Sequence, residues 1–200
     1  MEQTGELQKA VEFHGHICPG LIIGYRASLA LARELGISRD VDEELVAVVE
    51  NDACGLDAIQ VLLGCSIGKG NLILRDRGKH AFTLFRRRDG QGVRALFRGQ
   101  IGGGAADMNL RKKVMTNTAT EEEKGQFEAV RQQNIKDLLA APDSELFAFS
   151  APFFSIPVKA RIFDSYHCES CGEAAMEPRM RLVGGQKFCL DCAEPYQRGW

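Results

Sequence analysis

The chain has 200 residues, with 25 Lys+Arg against 27 Asp+Glu, a net charge of −2, and 44% hydrophobic residues. That length suits one domain with a small appendage, and that apolar share supports a packed soluble core. The balanced charge, with a pI near 6.1, argues against the concentrated positive face that nucleic-acid binding needs, and no apolar run reaches membrane-span length.

The opening residues, MEQTGELQKAVEF, have neither a basic start nor an apolar stretch, so no signal peptide is expected and the cytoplasm is the expected compartment. Free thiols and metal thiolates are favoured there over structural disulfides. The odd cysteine count, seven, also fits a full disulfide framework poorly.

Gly20 to Leu35 predicts a helix, with Leu21, Ile22, Tyr25, Leu29 and Ala32 as an apolar stripe and Arg26 and Arg33 sharing another face. Gly36 ends it in the usual position. Leu45 to Val49 is a compact β-branched run and predicts a buried strand. Asp52 is placed to cap a second helix, Cys54 to Leu63, closed by Gly64. Ala81 to Phe85 and Val93 to Phe97 predict two strands, and Asp89-Gly90 between them predicts a hairpin turn. The basic runs at 86–88 and 111–113 read as solvated turns. GQIGGGA, at 99–105, lacks the Lys-Ser/Thr of a phosphate-binding loop and reads as a flexible loop flanking a cleft. Glu121 to Leu139 predicts a polar helix, with Thr120 as N-cap and Glu123 completing a capping box. Leu146 to Phe149 starts a further strand that ends near Pro152. No internal repeat or low-complexity tract is present.

The composition shifts between Pro157 and Tyr166, which divides the chain into a core at 1–160 and a cysteine-rich appendage at 161–200. The appendage reads Cys168-x2-Cys171, seventeen residues, then Cys189-x2-Cys192. Two paired thiolates at that spacing close a tetrahedral structural zinc site. Gly172 supplies a tight turn after the first pair, and LVGGQKFC predicts a short hairpin returning the chain to the second. A segment this small has too little core to fold unaided, so the metal supplies much of its folding free energy. From Arg161 onward five Lys/Arg face six Asp/Glu, which favours a role in protein contact, as a lid or in dimer support over nucleic-acid binding.

FHGHICPGL, at 13–21, gathers His14, His16 and Cys18. On extended chain, alternate residues point one way, so all three would face one site. Pro19 suits the first helical turn, which makes Cys18 the N-cap. The amides and dipole at that end favour a thiolate, and so a better nucleophile or metal ligand. Cys54 repeats this geometry at the start of the second helix, with Asp52 beside it and Asp57 one turn on. Imidazole and thiolate together suit zinc or another borderline-soft divalent ion. His16, Cys18 and Cys54 make a three-ligand site with an open position, with His14 and His16 interchangeable as ligand and supporting residue. Cys65 lies at the far end of its helix and reads, with His80, as an ordinary structural residue.

HGHICPGLIIGYRA and VVENDACGLDAIQVLLGCSIGKGNLILRDRGKHAFTLF closely resemble the FmdE family, which takes its name from molybdenum formylmethanofuran dehydrogenase. The resemblance covers most of residues 10–155, and the zinc tail resembles the treble-clef finger that some members carry. It implies an α+β fold: a thioredoxin-like core with a mixed β-sheet flanked by helices, plus a small treble-clef or zinc-ribbon-like domain. It also implies a homodimer. The matching family positions are His14, His16, Cys18, Asp52, Cys54, Asp57, Cys65, Lys69, Lys79 and His80, around a metal-capable cleft. Nothing in the chain binds molybdopterin, and no ferredoxin-type cysteine run is present.

Three functions follow as expectations. In the first, a divalent ion, zinc in the first instance, at His14, His16, Cys18 and Cys54 makes the core a metal-dependent enzyme, or an accessory subunit of a redox enzyme in one-carbon or molybdenum-linked metabolism. Cys18, Cys54, His16, Lys79 and His80 are then its catalytic candidates, with Lys79 or His80 supplying a proton or anchoring an anionic group of an unknown small molecule. In the second, Cys18 and Cys54 form a reversible disulfide. In the third, the chain is a non-catalytic carrier or adaptor docked through its finger.

Overall fold

The computed structural model describes residues 5–99 and 105–194, and of 105–107 only the backbone. The chain divides into two compact units, Met1–Lys159 and Ala160–Trp200.

The core unit begins with helix α1 (Gly5–His14), an element without a clear signature in the sequence, followed by α2 (Pro19–Leu35). Strand β1 (Leu45–Val49), α3 (Gly55–Leu63) and the three-residue β2 (Leu72–Leu74) come next. Strands β3 (Ala81–Arg86) and β4 (Gly92–Phe97) form the expected hairpin, with Gly90 in the left-handed region at φ 71°. Helices α4 (Ala105–Met115), α5 (Glu121–Ala140) and α6 (Asp143–Leu146) lead into β5 (Phe147–Ser150). The sheet order is β2-β1-β3-β4-β5, parallel between β1 and β2 and antiparallel elsewhere. This is a mixed α+β fold.

The alternation of side chains along each strand sorts the core into two layers. Leu45, Ala47 and Val49 of β1 join Phe82, Leu84 and Ala95 in the main core with α2 and α3. Val46, Val48 and Phe85 face the opposite way and are covered by Phe154 and Ile156, from the segment after β5. A strand buried on both faces has no polar alternation, which is why LVAVV is continuously apolar.

α2 is buried over most of its circumference, more than the single stripe anticipated, because β-strands, α1, α3 and α5 all pack on it. Gly24 is where α2 and α3 meet: a Cβ there would lie 2.1 Å from the carbonyl oxygen of Gly55. That backbone-to-backbone contact brings the N-termini of the two helices side by side. Arg26 and Arg33, on a face apart from the stripe, both pair with Asp143. Arg26 also donates to the carbonyls of Leu138, Leu139 and Ala141, satisfying acceptors left open at the end of α5. The capping box of α5 is present, with Thr120 accepting from the Glu123 amide at 3.2 Å and Glu123 accepting from the Thr120 amide at 2.9 Å.

Three sequence expectations need correction. Asp52 does not cap α3: its side chain is exposed, and Asn51 instead accepts from the Ala53 amide at 3.1 Å. The run at 111–113 lies in the last turns of α4, not in a turn. Residues 14–18 are not extended, because α1 runs through His14 and Gly15 then turns the chain. Of the glycine-rich stretch at 99–105, residues 100–104 lie outside the described residues.

In the second unit, β6 (Ser165–His167) pairs with β7 (Ala174–Met176), and β8 (Met180–Val183) pairs with β9 (Gln186–Cys189) after a 3-10 turn at Glu177–Arg179. The second hairpin turns on Gly184 and Gly185, at φ 59° and 85°.

Candidate functional site

Among the described residues, two groups place three or more metal-type donor atoms within 4.8 Å of one another: Cys168, Cys171, Cys189 and Cys192, and His14, His16 and Cys18.

In the first group, Gly172 at φ 76° lets the chain turn back, and its amide donates to the Cys168 carbonyl. Backbone amides of Cys171 and Cys189 face the Cys168 sulfur and pull its thiol down to about 6, whereas Cys192, beside the Cys189 sulfur, is pushed up to about 12. Zinc–sulfur bonds of about 2.3 Å place tetrahedral sulfurs about 3.8 Å apart. The Cys171 and Cys189 sulfurs are 3.9 Å apart, so the set fits a closed structural zinc.

The second group is built differently from the strand-like alternation anticipated. His14 is the last residue of α1, and Gly15 turns the chain at φ 87°, its amide still reaching the Val11 carbonyl. The turn folds His16 back until the two imidazole centroids are 4.5 Å apart. Cys18 is the N-cap of α2, at φ −149° and ψ 161°, and its sulfur accepts from the Leu21 amide at 3.3 Å, as its place before Pro19 implied. The three donors therefore converge through a helix end, one left-handed glycine and a helix start.

Asp57, in the first turn of α3, accepts from Nδ1 of His14 at 2.7 Å. A carboxylate only accepts, so it holds the proton on Nδ1 and leaves Nε2 with its lone pair. That Nε2 lies 3.9 Å from the Cys18 sulfur. Carboxylate-oriented imidazole is the usual arrangement behind a metal-ligating histidine. Two imidazoles and a thiol fit zinc or a similar borderline-soft ion.

Cys54 stands at the N-cap position of α3 without a side-chain capping bond. It flanks the same spot as Cys18: a Cβ on Gly20 would lie 3.7 Å from the Cys54 sulfur and 3.9 Å from that of Cys18. Burial, then the neighbouring Cys18, raises the Cys54 thiol, the opposite of what a helix end alone would do.

These residues open onto a cavity of about 550 Å³. His16, Cys18, Cys54 and His80 line one side; the other comes from α4 and α5, with Met108, Arg111, Phe127, Arg131 and Asn134. Arg131 donates to the Ile17 carbonyl and to Glu128, tying α5 to the segment that carries the donors. The α4–α5 wall was invisible to motif reading, because its residues carry no spacing signature.

The remaining candidates are dispersed. Lys79 is exposed and outside the cavity lining, with its backbone bonded to Glu50 and Asn51. Lys69 pairs with buried Asp40, which also accepts from Asn71 and from the Glu43 and Leu45 amides. Cys65 is fully buried, and burial followed by Asp40 pushes its thiol up to about 12.

An α+β core with a histidine- and cysteine-lined cleft, followed by a four-cysteine finger, defines a protein with metal-type donors in each of two units. Residues 13–148 match the family described as FmdE, Molybdenum formylmethanofuran dehydrogenase operon, and the chain belongs to that family. Residues 161–198 match the prokaryotic dksA/traR C4-type zinc finger. A relative from Archaeoglobus fulgidus, described as a probable S-adenosyl-L-methionine-binding protein, is 33% identical over 204 residues, covering 96% of this chain and 54% of that one. The chain thus spans about half the length of that relative. The crystal structure of an FmdE-like protein of tungsten formylmethanofuran dehydrogenase type, from Syntrophus aciditrophicus, aligns with a TM-score of 0.55 at 21% identity, covering 93% of this chain and 89% of that one. That likeness shows the fold alone. Among the described residues no helix is long and apolar enough to cross a membrane.

Proposed function

We propose that the core is a metal-dependent small-molecule-binding module, acting as an enzyme or as an accessory subunit of an oxidoreductase, and that the tail is a structural zinc finger. The observation that carries this reading is the convergence of His14, His16 and Cys18 within 4.8 Å at the wall of a cavity of about 550 Å³. His14, set by Asp57, His16 and Cys18 would hold a divalent ion, zinc in the first instance, with Cys54 as a further donor beside them. Such an ion supplies Lewis-acid polarisation of a bound carbonyl or water. The protein's own part is orientation and exclusion of water: α5, tied down through Arg131, closes the cleft opposite the donors. A thioredoxin-like layout, a homodimer, redox-enzyme subunits as partners and a cytoplasmic location belong to this reading as proposals. So does S-adenosyl-L-methionine as a first ligand to try, on the strength of the name its Archaeoglobus relative carries.

The test is elemental analysis of protein purified without added metal and after zinc reconstitution, beside a Cys18→Ser/Cys54→Ser double variant. About two zinc per chain falling to about one supports the reading. About one in both, after reconstitution, refutes the core metal site.

A second reading, reversible Cys18–Cys54 disulfide chemistry, is favoured by the two sulfurs flanking Gly20. A mapped disulfide in oxidised protein supports it; two free thiols after oxidation refute it.

A further inference from the structure

We propose that Asn51 is a positioning residue that holds His80 as a hydrogen-bond donor, with its proton on Nε2, so that His80 binds an acceptor atom of the cleft's ligand and is not itself a metal ligand. Asn51 is buried, 6% exposed, at the end of β1. Its amide orientation follows from partners that can act in one way only. The Ala53 amide can only donate, so Oδ1 faces it at 3.1 Å. The Lys79 carbonyl can only accept, so Nδ2 faces it at 2.7 Å. The second proton of Nδ2 then points to Nδ1 of His80, 3.3 Å away. A donor facing Nδ1 requires a lone pair there, and in a neutral imidazole the proton then sits on Nε2. His80 borders the cavity, stacked edge-on against Phe97, and Nε2–H is the polar group left to the cavity.

His14 is set the opposite way. Its Nδ1 faces the Asp57 carboxylate and its Nε2 keeps a lone pair beside Cys18. One cleft thus holds two imidazoles in opposite tautomers: a lone pair for a metal, and an N–H for a ligand's carbonyl or carboxylate oxygen. The inference rests on the ligand-binding reading only for that oxygen; the tautomer is a property of the protein alone.

The experiment is long-range ¹⁵N–¹H correlation of the histidine rings in uniformly labelled protein, at about pH 8 where imidazole is neutral. The four histidines are assigned by substitution, with His80→Gln identifying the ring in question. The expected wild-type result is a single Nε2–H tautomer for His80 that persists when zinc is added. Asn51→Asp, which replaces the donor with an acceptor, is expected to switch it to the Nδ1–H tautomer. A wild-type Nδ1–H tautomer, loss of the Nε2 proton on zinc addition, or no change in Asn51→Asp overturns the proposal. If Asn51→Asp does not fold, the wild-type spectra with and without zinc decide it alone. If zinc instead leaves the His14 and His16 rings unmoved, the core metal reading fails while the His80 assignment stands.

Discussion

Asp57 accepts a hydrogen bond from His14 at 2.7 Å although the two stand 43 residues apart, one opening α3 and the other closing α1. The pair turns a histidine at a fraying helix end into a fixed donor. Removing the carboxylate should therefore weaken metal binding without removing a ligand. Asp57→Ala is expected to lower zinc affinity of the core site about 10–100-fold, the usual effect of losing a residue that orients a ligating imidazole. Competition with a chromophoric chelator measures it, with the tail site saturated in both proteins. Unchanged affinity would mean that His14 is not a ligand.

The contact between α2 and α3 is set by Gly24, where a methyl group would collide with the backbone of Gly55. Backbone cannot move aside as a side-chain tip can. Gly24→Ala is expected to cost on the order of 3 kcal/mol of stability, at the upper end for overpacking. Urea unfolding followed by circular dichroism would show it as a lower midpoint. It would also separate the helix ends bearing Cys18 and Cys54, so core zinc affinity should fall with it.

Glu44 closes the turn before β1 by accepting from the amides of Val41 and Asp42. The bond from Asp42, together with further amide bonds, draws its carboxyl from the ordinary 4.5 down to about 2. A lowered folded-state value means the carboxylate stabilises the fold above about pH 4.5, and that this contribution fades as the pH falls toward 2. Glu44→Gln should melt below the wild type at about pH 6, and the gap should close by about pH 2. Thermal melts across that range measure it, and a gap independent of pH would show that the charge plays no part.

Cys65 sits behind Asp40 and Lys69 with no exposed surface, and its thiol is pushed up to about 12. The thiolate is the reactive form, so Cys65 should react with iodoacetamide at about pH 8 at least about 100-fold more slowly than Cys18. Peptide mass spectrometry of timed samples gives both rates in one experiment. Equal rates would place Cys65 within reach of solvent and reopen it as a site residue.

Much of the local structure was legible from residues alone. β1, the hairpin at Asp89-Gly90, the α5 capping box and the left-handed Gly36 each depend on neighbours within a few positions. The same is true of Cys18 as an N-cap ahead of Pro19, and of the paired cysteines of the finger, whose spacing is itself the geometry. Elements without such signatures were missed. α1 and α4 have weak apolar patterns, and β2 is three residues long and defined by its pairing with β1.

The sequence by itself determined which donors the chain owns and where they fall: two histidines and a cysteine before one helix, a cysteine before another, and four in the tail. Only the tertiary structure decided which of them meet and in what state. His14 and His16 converge through a left-handed Gly15 and not through strand alternation. Asp57, and not Asp52, reaches an imidazole, and Asn51 takes the turn that Asp52 was expected to hold. The reason is that a hydrogen bond or a metal site needs atoms placed within a few tenths of an ångström. Residue types and spacings specify such distances only within one turn of chain; across 43 residues, as from His14 to Asp57, the packing of α1 on α3 specifies them.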